Sequence, residues 1–173
     1  LEMGNMKRRE FLSESLATIG LLSTGGLGAF AGEVKRVDDK HFITTILRVD
    51  HVNANRRIYP KSVIEKAVAN FEHGSVLGEL WDGNGHHRKD IVIKFANVSH
   101  EVKNIYLEDD YLKAEILILD TPRGKILDSI KDVSFRPFGF GHAKIDENWN
   151  MVIGDDYKLI SVDAMPTSMA VKL

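Results

Sequence analysis

"YLKAEILIL", Tyr111 to Leu119, decides what kind of fold this chain builds. Leu112, Ala114, Ile116 and Ile118 alternate with Tyr111, Lys113 and Glu115. A period of two puts the apolar set on one face of a pleated strand, so one face is buried and the other is not. "HFITTILRVD", His41 to Asp50, is rich in β-branched residues and also reads as a strand. "IVIKFANVSHEV", Ile91 to Val102, is strand-like, and Val76 to Leu80 is a short strand inside a glycine-rich loop. Towards the C-terminus "VSFRPFGFGHAKI", "NMVIG" and "YKLISVDAMP" give three more strands, with "DENWN" as the hairpin turn between the first two.

Two helices interrupt this series. Val63, Ile64, Ala67, Val68 and Phe71 recur at helical spacing behind Pro60, which predicts a helix over Pro60 to Phe71. "DTPRGKILDSIKD" offers Thr121 as N-cap and Pro122 at the first helical position, with Ile126, Leu127 and Ile130 as its apolar stripe. Strands outnumber helices, and successive strands lie close enough in sequence to pair antiparallel. The expected class is α+β: an antiparallel β-barrel or sheet with two or more helices packed outside.

With 173 residues the chain is long enough for one domain with a real core. A net charge of −2 gives no basic field, so neither nucleic acid nor an anionic membrane surface is an expected partner. The absence of cysteine excludes disulfides, thiolate catalysis and cysteine zinc sites. Residues 1–40 read as a leader. Lys7, Arg8 and Arg9 precede an apolar, small-residue run from Leu16 to Phe30, and Ala29-Phe30-Ala31 has a signal-cleavage pattern. "RREFL" carries the paired arginines of a twin-arginine export signal, and a disordered leader is the alternative reading. The run is too short and glycine-rich for a spanning helix. Residues 41–173 are then the folded domain.

The chemistry concentrates in "KDVSFRPFGFGH", Lys131 to His142. Ser134 is a hydroxyl in a strand, with Arg136 two residues on and Gly139 and Gly141 beyond, where bare backbone permits close approach. Nucleophilic catalysis needs a base within reach and a group to orient it. His86 and His87 offer the base, and Asp163 is an acid in an otherwise apolar strand, where an unpaired charge is costly. His86, His87 and His100, with Asp82 and Asp90, also suggest a metal site. Adjacent histidines on an extended chain point to opposite faces, and no H-E-x-x-H spacing occurs, so no metal is expected. His100 reads as a packed, hydrogen-bonded strand histidine, and Asn53, Asn55, Arg57 and Tyr59 as the makers of a turn.

Four blocks occur in order: "VNANRRIYPKSVIEKAV" (Val52 to Val68), "VLGEL" with "GHHRKDIVIKFANVSH" (Val76 to His100), "VSFRPFGFG" (Val133 to Gly141) and "YKLISVDAMPTSMA" (Tyr157 to Ala170). Together they resemble the prohead core proteases of T-even-type tailed phages, and so the wider group that shares a fold with herpesvirus assemblins. The resemblance implies an assemblin-like serine endopeptidase without cofactor. Ser134 takes the place of the nucleophile, and the histidine after G-E-L that of the general base. Here an extra "WDGNG" lies between Leu80 and the two histidines, and the proline of H-P is absent. His87 fits when the spacing to "NVSH" is kept and is preferred, and His86 fits when "HH" replaces H-P. Asp163 corresponds to the late acid, with Glu79 as the alternative third member, and Arg136 to the arginine that supports the oxyanion loop.

"SFRP" stands where the family has S-S-R-G, so Pro137 removes one backbone donor. If that donor belonged to the oxyanion hole, its loss costs about 2 kcal/mol or more in the transition state. The implied substrates are scaffold and capsid precursor proteins, cleaved inside the prohead in the host cytoplasm, with a homodimer as the expected assembly. "FLSES" contains the Leu-x-Glu pattern these proteases prefer, which makes Glu14 an expected self-processing site. The competing readings are a catalytically weak or inactive assemblin-fold structural protein, and an exported bacterial protein, which the leader favours.

Overall fold

The computed structural model describes residues 34–71, 76–81 and 91–166. The alternating stretch forms strand β6, Tyr111–Ile118, with Leu112, Ala114 and Ile116 fully buried. It lies between β2, His41–Arg48, and β5, Val98–Glu108, and runs antiparallel to both. β1, Val34–Arg36, pairs with β2 at one edge and β4, Val76–Glu79, with β5 at the other, giving the order β1-β2-β6-β5-β4. The sheet therefore takes in residues 34–36, which the sequence sets apart with the leader.

β5 differs at both ends from its sequence expectation. It starts at Val98, not Ile91, and runs to Glu108. Ile91, Val92 and Phe95 are 63%, 75% and 78% exposed, so their apolar run has no core to pack against, and Phe95–Asn97 turns as a 3₁₀ helix instead. Further along β5, Val102 and Ile105 are buried, and the added residues pair with β6 through a hairpin at Asp109 and Asp110.

Two smaller sheets complete the domain. β7, Val133–Phe140, pairs antiparallel with β10, Lys158–Pro166. β3, Arg57–Ile58, runs parallel to β9, Met151–Ile153, which pairs antiparallel with β8, Ala143–Ile145. The predicted hairpin joins β8 to β9. Asp146 Oδ1 accepts the N–H groups of Asn148 and Asn150, and Trp149 takes φ 63° at the turn. β10 meets the end of β4 through a parallel bridge between Leu80 and Ala164. β7 packs against β2, but no ladder joins them among the described residues. The fold is thus α+β with mostly antiparallel open sheets, and "barrel" overstates their closure.

Helix α1, Lys61–Ala69, begins one residue later than predicted because Pro60 is the N-cap, with ψ 140°. Val63, Ile64 and Ala67 face the core as their spacing requires. Before it, Asn53 Oδ1 accepts the N–H groups of Asn55 and Arg57, which builds the expected turn. Helix α2, Pro122–Ser129, starts from Thr121, whose Oγ1 accepts the Gly124 N–H at 2.9 Å and donates to the Val98 carbonyl at 2.6 Å. Its stripe is narrower than expected: Leu127 is buried, but Ile126 is 46% exposed.

Gly139 and Gly141 have a packing role that sequence reading assigned to substrate approach. A Cβ on Gly139 would lie 2.6 Å from the Tyr157 hydroxyl, and one on Gly141 2.7 Å from Tyr157 Cα. Both glycines make room for the buried Tyr157, which packs edge-on against Tyr59 at 5.8 Å. Arg57 lies beside the Tyr59 hydroxyl and partly opposes the rise in its pKa that burial causes. Three sequence blocks therefore meet in one aromatic contact.

Candidate active site

The β7–β10 ribbon has two chemically different faces. Its register sets Phe135 opposite Ala164, and Pro137 opposite Val162. Phe135, Val162 and Ala164 belong to the core cluster. The intervening residues share the other face, where Ser134 stands opposite Met165 and Arg136 opposite Asp163. Ser134 and Asp163 are diagonal neighbours on that face. The register thus brings together three of the four residues expected to carry the chemistry.

The direction of the carbonyls explains how a proline sits inside this ladder. Val162 O accepts from His100 and Ala164 O from the Trp81 N–H, so both point away from β7. Pro137 and Val162 are therefore a non-hydrogen-bonded pair, and the missing N–H removes no rung between β7 and β10. Ser134 and Arg136 occupy the hydrogen-bonded positions. The position-137 nitrogen lies on the outer edge of β7.

Asp163 is tied to β4, since its Oδ1 accepts the Glu79 N–H at 3.0 Å. The Glu79 carboxylate, itself buried, accepts the Lys94 N–H at 2.7 Å and an Asn97 Nδ2–H at 3.4 Å. Leu80 N–H donates to Asn97 O at 2.9 Å, and Trp81 N–H to Ala164 O at 2.9 Å. Residues 79–81 and 94–97 are thereby held together beside Asp163. Both His86 and His87 lie between them in sequence, outside the described residues. Glu79, the alternative third member, is occupied as a clamp across this neck.

Ser134 is 3% exposed and Met165 opposite it 1%, so both are buried. A cavity of about 600 Å³ lies elsewhere, between α1 and the β9–β10 turn, lined by Phe71, Val76, Tyr157 and Leu159 among others. Burial pushes the Arg136 pKa below its ordinary value. Among the described residues no group of three or more histidine, aspartate or glutamate side chains is placed to hold a metal. His41 and His142 form surface pairs with Asp38 and Asp156.

His100 is fully buried on β5. Its Nε2 lies 2.8 Å from Val162 O, and a carbonyl only accepts, so Nε2 carries the proton. Nδ1 then accepts from the Ser99 hydroxyl at 2.8 Å. Both nitrogens of the neutral ring are used, and the ring packs on Phe135, on the core face of the ribbon. His100 is therefore not positioned as a base for Ser134. A Cβ on Gly78 would fall 2.0 Å from His100 Nε2 and 2.3 Å from Val162 O, so only glycine lets the imidazole pass beneath β4 to β10. Sequence reading missed this use of Gly78, because its partners are distant along the chain.

Burial lowers the His100 pKa from 6.5 to about 4, against the raising effect of its bond to Val162 O. The unfolded chain thus takes up this proton first as pH falls. The contribution is fully present above pH 6.5 and is lost between 6.5 and about 4, amounting to about 3 kcal/mol. Asp146 and Asp156, whose pKa values are lowered by hydrogen bonds, act below their ordinary 3.8 and so outside most of that window. Urea midpoints of the wild type are expected to fall from pH 7 to pH 4.5. His100→Gln, which keeps a donor and does not titrate, is expected to flatten that slope, and an equally steep slope would rule the assignment out.

One face of the β7–β10 ribbon thus carries a hydroxyl, a guanidinium and a carboxylate on an α+β fold of mostly antiparallel open sheets. The chain belongs to the family of the prohead core protein serine protease, whose family model matches residues 23–170. Its class is thus peptidase, and its role proteolysis in phage head maturation. Among solved structures it is similar to the bacteriophage T4 capsid assembly protease, gp21, at a TM-score of 0.67 and 18% identity. That match covers 80% of this chain and 94% of the other. No curated protein matches the sequence.

Proposed function

We propose that the chain is a serine endopeptidase in which Ser134 is the nucleophile, His87 the general base and Asp163 the group that orients the base. The observation that carries this reading is the shared face of Ser134 and Asp163 on the β7–β10 ribbon. Diagonal neighbours on such a face stand roughly 7–8 Å apart, a span that one imidazole with a hydrogen bond at each nitrogen fills. The histidine segment leaves from Trp81, which is bonded to the residue after Asp163. Six further residues reach at most about 20 Å, ample for His87 to arrive at the ribbon.

In this reading His87 takes the Ser134 proton as Oγ attacks the scissile carbonyl carbon. The imidazolium, stabilised by Asp163, returns that proton to the leaving amine as the C–N bond breaks. Water then attacks the acyl-enzyme with His87 again as base, and the carboxylic acid product leaves Ser134 restored. Arg136, opposite Asp163, supports the loop that binds the oxyanion. The substrates are scaffold and capsid precursors, cut inside the prohead in the host cytoplasm, by a homodimer. No described helix is long and apolar enough to cross a membrane.

The second reading, a weak or inactive member of the family, is favoured by the missing donor at Pro137 and the 3% exposure of Ser134. A fluorophosphonate probe separates the two. Mass spectrometry is expected to find one adduct, on Ser134, absent from Ser134→Ala. An unlabelled wild type would replace the first reading with the second.

A further inference from the structure

We propose that His100 is the positioning residue of this site, holding the β7–β10 ribbon that carries Ser134 and Asp163 in place against β4 and β5. The inference rests on the reading that those two residues do the chemistry. One imidazole touches the chain neighbour of each described site residue. Nε2–H donates to Val162 O, next to Asp163. The ring meets Phe135, next to Ser134, edge to face at 5.4 Å and 90°. It also lies against Gly78, next to Glu79, whose N–H holds the Asp163 carboxylate. Strands β4, β7 and β10 are thereby referenced to one rigid ring projecting from β5.

An apolar side chain would fill this volume at lower cost, since a buried polar ring must have both nitrogens satisfied before it breaks even. Here both are: Ser99 fixes the tautomer at Nδ1, and Val162 takes the Nε2 proton. What the imidazole adds over a phenyl ring is direction, because its hydrogen bond fixes β10 along the strand axis as well as in depth. β4 and the residues just after it are bonded to β10 on either side of Val162, through the Ser161 hydroxyl to Leu77 O and the Trp81 N–H to Ala164 O, and the imidazole supplies the bond at Val162 itself. A slip of about 1 Å at this position separates a hydroxyl from its base and costs about 10²-fold in rate.

The test compares His100→Phe, which keeps the ring packing without the hydrogen bond, with His100→Gln, which restores a donor towards Val162 O. Both are assayed below their melting temperatures on a peptide spanning residues 10–18. Positioning predicts that His100→Phe lowers kcat by about 10²-fold with KM little changed, while His100→Gln recovers most of the loss. A folded His100→Phe with wild-type kcat overturns the inference, as does a loss in KM alone. The Glu79 amide proton, bonded to Asp163, gives a readout independent of activity. Its NMR shift is expected to move in His100→Phe and return in His100→Gln, and an unmoved shift counts against positioning. Should His100→Phe not fold, Ser99→Ala, which frees Nδ1, is expected to give the same kcat effect at about tenfold and the same amide displacement, and absence of both overturns the inference. A wild type without the Ser134 adduct defeats the nucleophile assignment instead, and the amide shift still decides the positioning role.

Discussion

Ser134→Ala is expected to lower kcat on the residue 10–18 peptide by about 10⁶-fold, with the fold retained. The size follows from the nucleophile role proposed for the hydroxyl. Without Oγ there is no acyl-enzyme, and water must attack the carbonyl directly in a site built for another nucleophile. Remaining transition-state contacts keep a residual rate above the uncatalysed one. The structural cost is small by comparison. One buried hydroxyl contributes about 1 kcal/mol, and the Ser134–Met165 rung of the ladder is backbone, which alanine keeps. Circular dichroism and the urea midpoint should therefore stay near wild type while cleavage after Glu14 disappears from the mass spectrum. If Ser134→Ala cleaves at a tenth of the wild-type rate or better, Ser134 is not the nucleophile.

That a serine of this kind stands in a strand is legible from residues 131–142, but its neighbours are not. The alternation of Leu112, Ala114 and Ile116 predicts β6 because only one of its faces is buried, which is the condition under which a period of two appears. The same logic misreads Ile91 to Phe95, where apolar residues stay exposed and no strand forms. β3 is two residues long and parallel to β9, almost a hundred positions away, so no local pattern announces it. Asp163 stands out as an acid among apolar residues, yet its place beside Ser134 depends on the β7–β10 register. Register is fixed by pairing, which a single strand does not encode. The roles of Gly78 and Gly139 were hidden for the same reason: each is shaped by a side chain or carbonyl far along the chain. His100 reads correctly as a packed strand histidine, but its bond to Val162 spans 62 positions.

The two adjacent histidines should separate sharply when replaced one at a time. Neighbouring side chains on an extended chain point in opposite directions, so only one of two adjacent histidines is expected to act as the base. His87→Ala is expected to cost about 10⁶-fold in kcat, close to the loss from removing the nucleophile, because base and nucleophile act as a unit. His86→Ala is expected to change it by less than about tenfold. The double variant Ser134→Ala/His87→Ala should be no slower than either single one, since the second deletion removes nothing further from a unit already broken. The third member sorts by the same comparison. Asp163→Asn leaves the Glu79 N–H an oxygen to bond but no longer stabilises an imidazolium, for a loss of about 10⁴-fold. Glu79→Gln keeps an oxygen for Lys94 and Asn97 and should register mainly as stability, since that carboxylate already holds the neck between residues 79 and 97. A reversed order, with His86→Ala the slow variant, would move the base by one residue and leave the ribbon's hydroxyl and carboxylate where they are. Equal, modest losses from both histidines would remove the imidazole from the mechanism altogether.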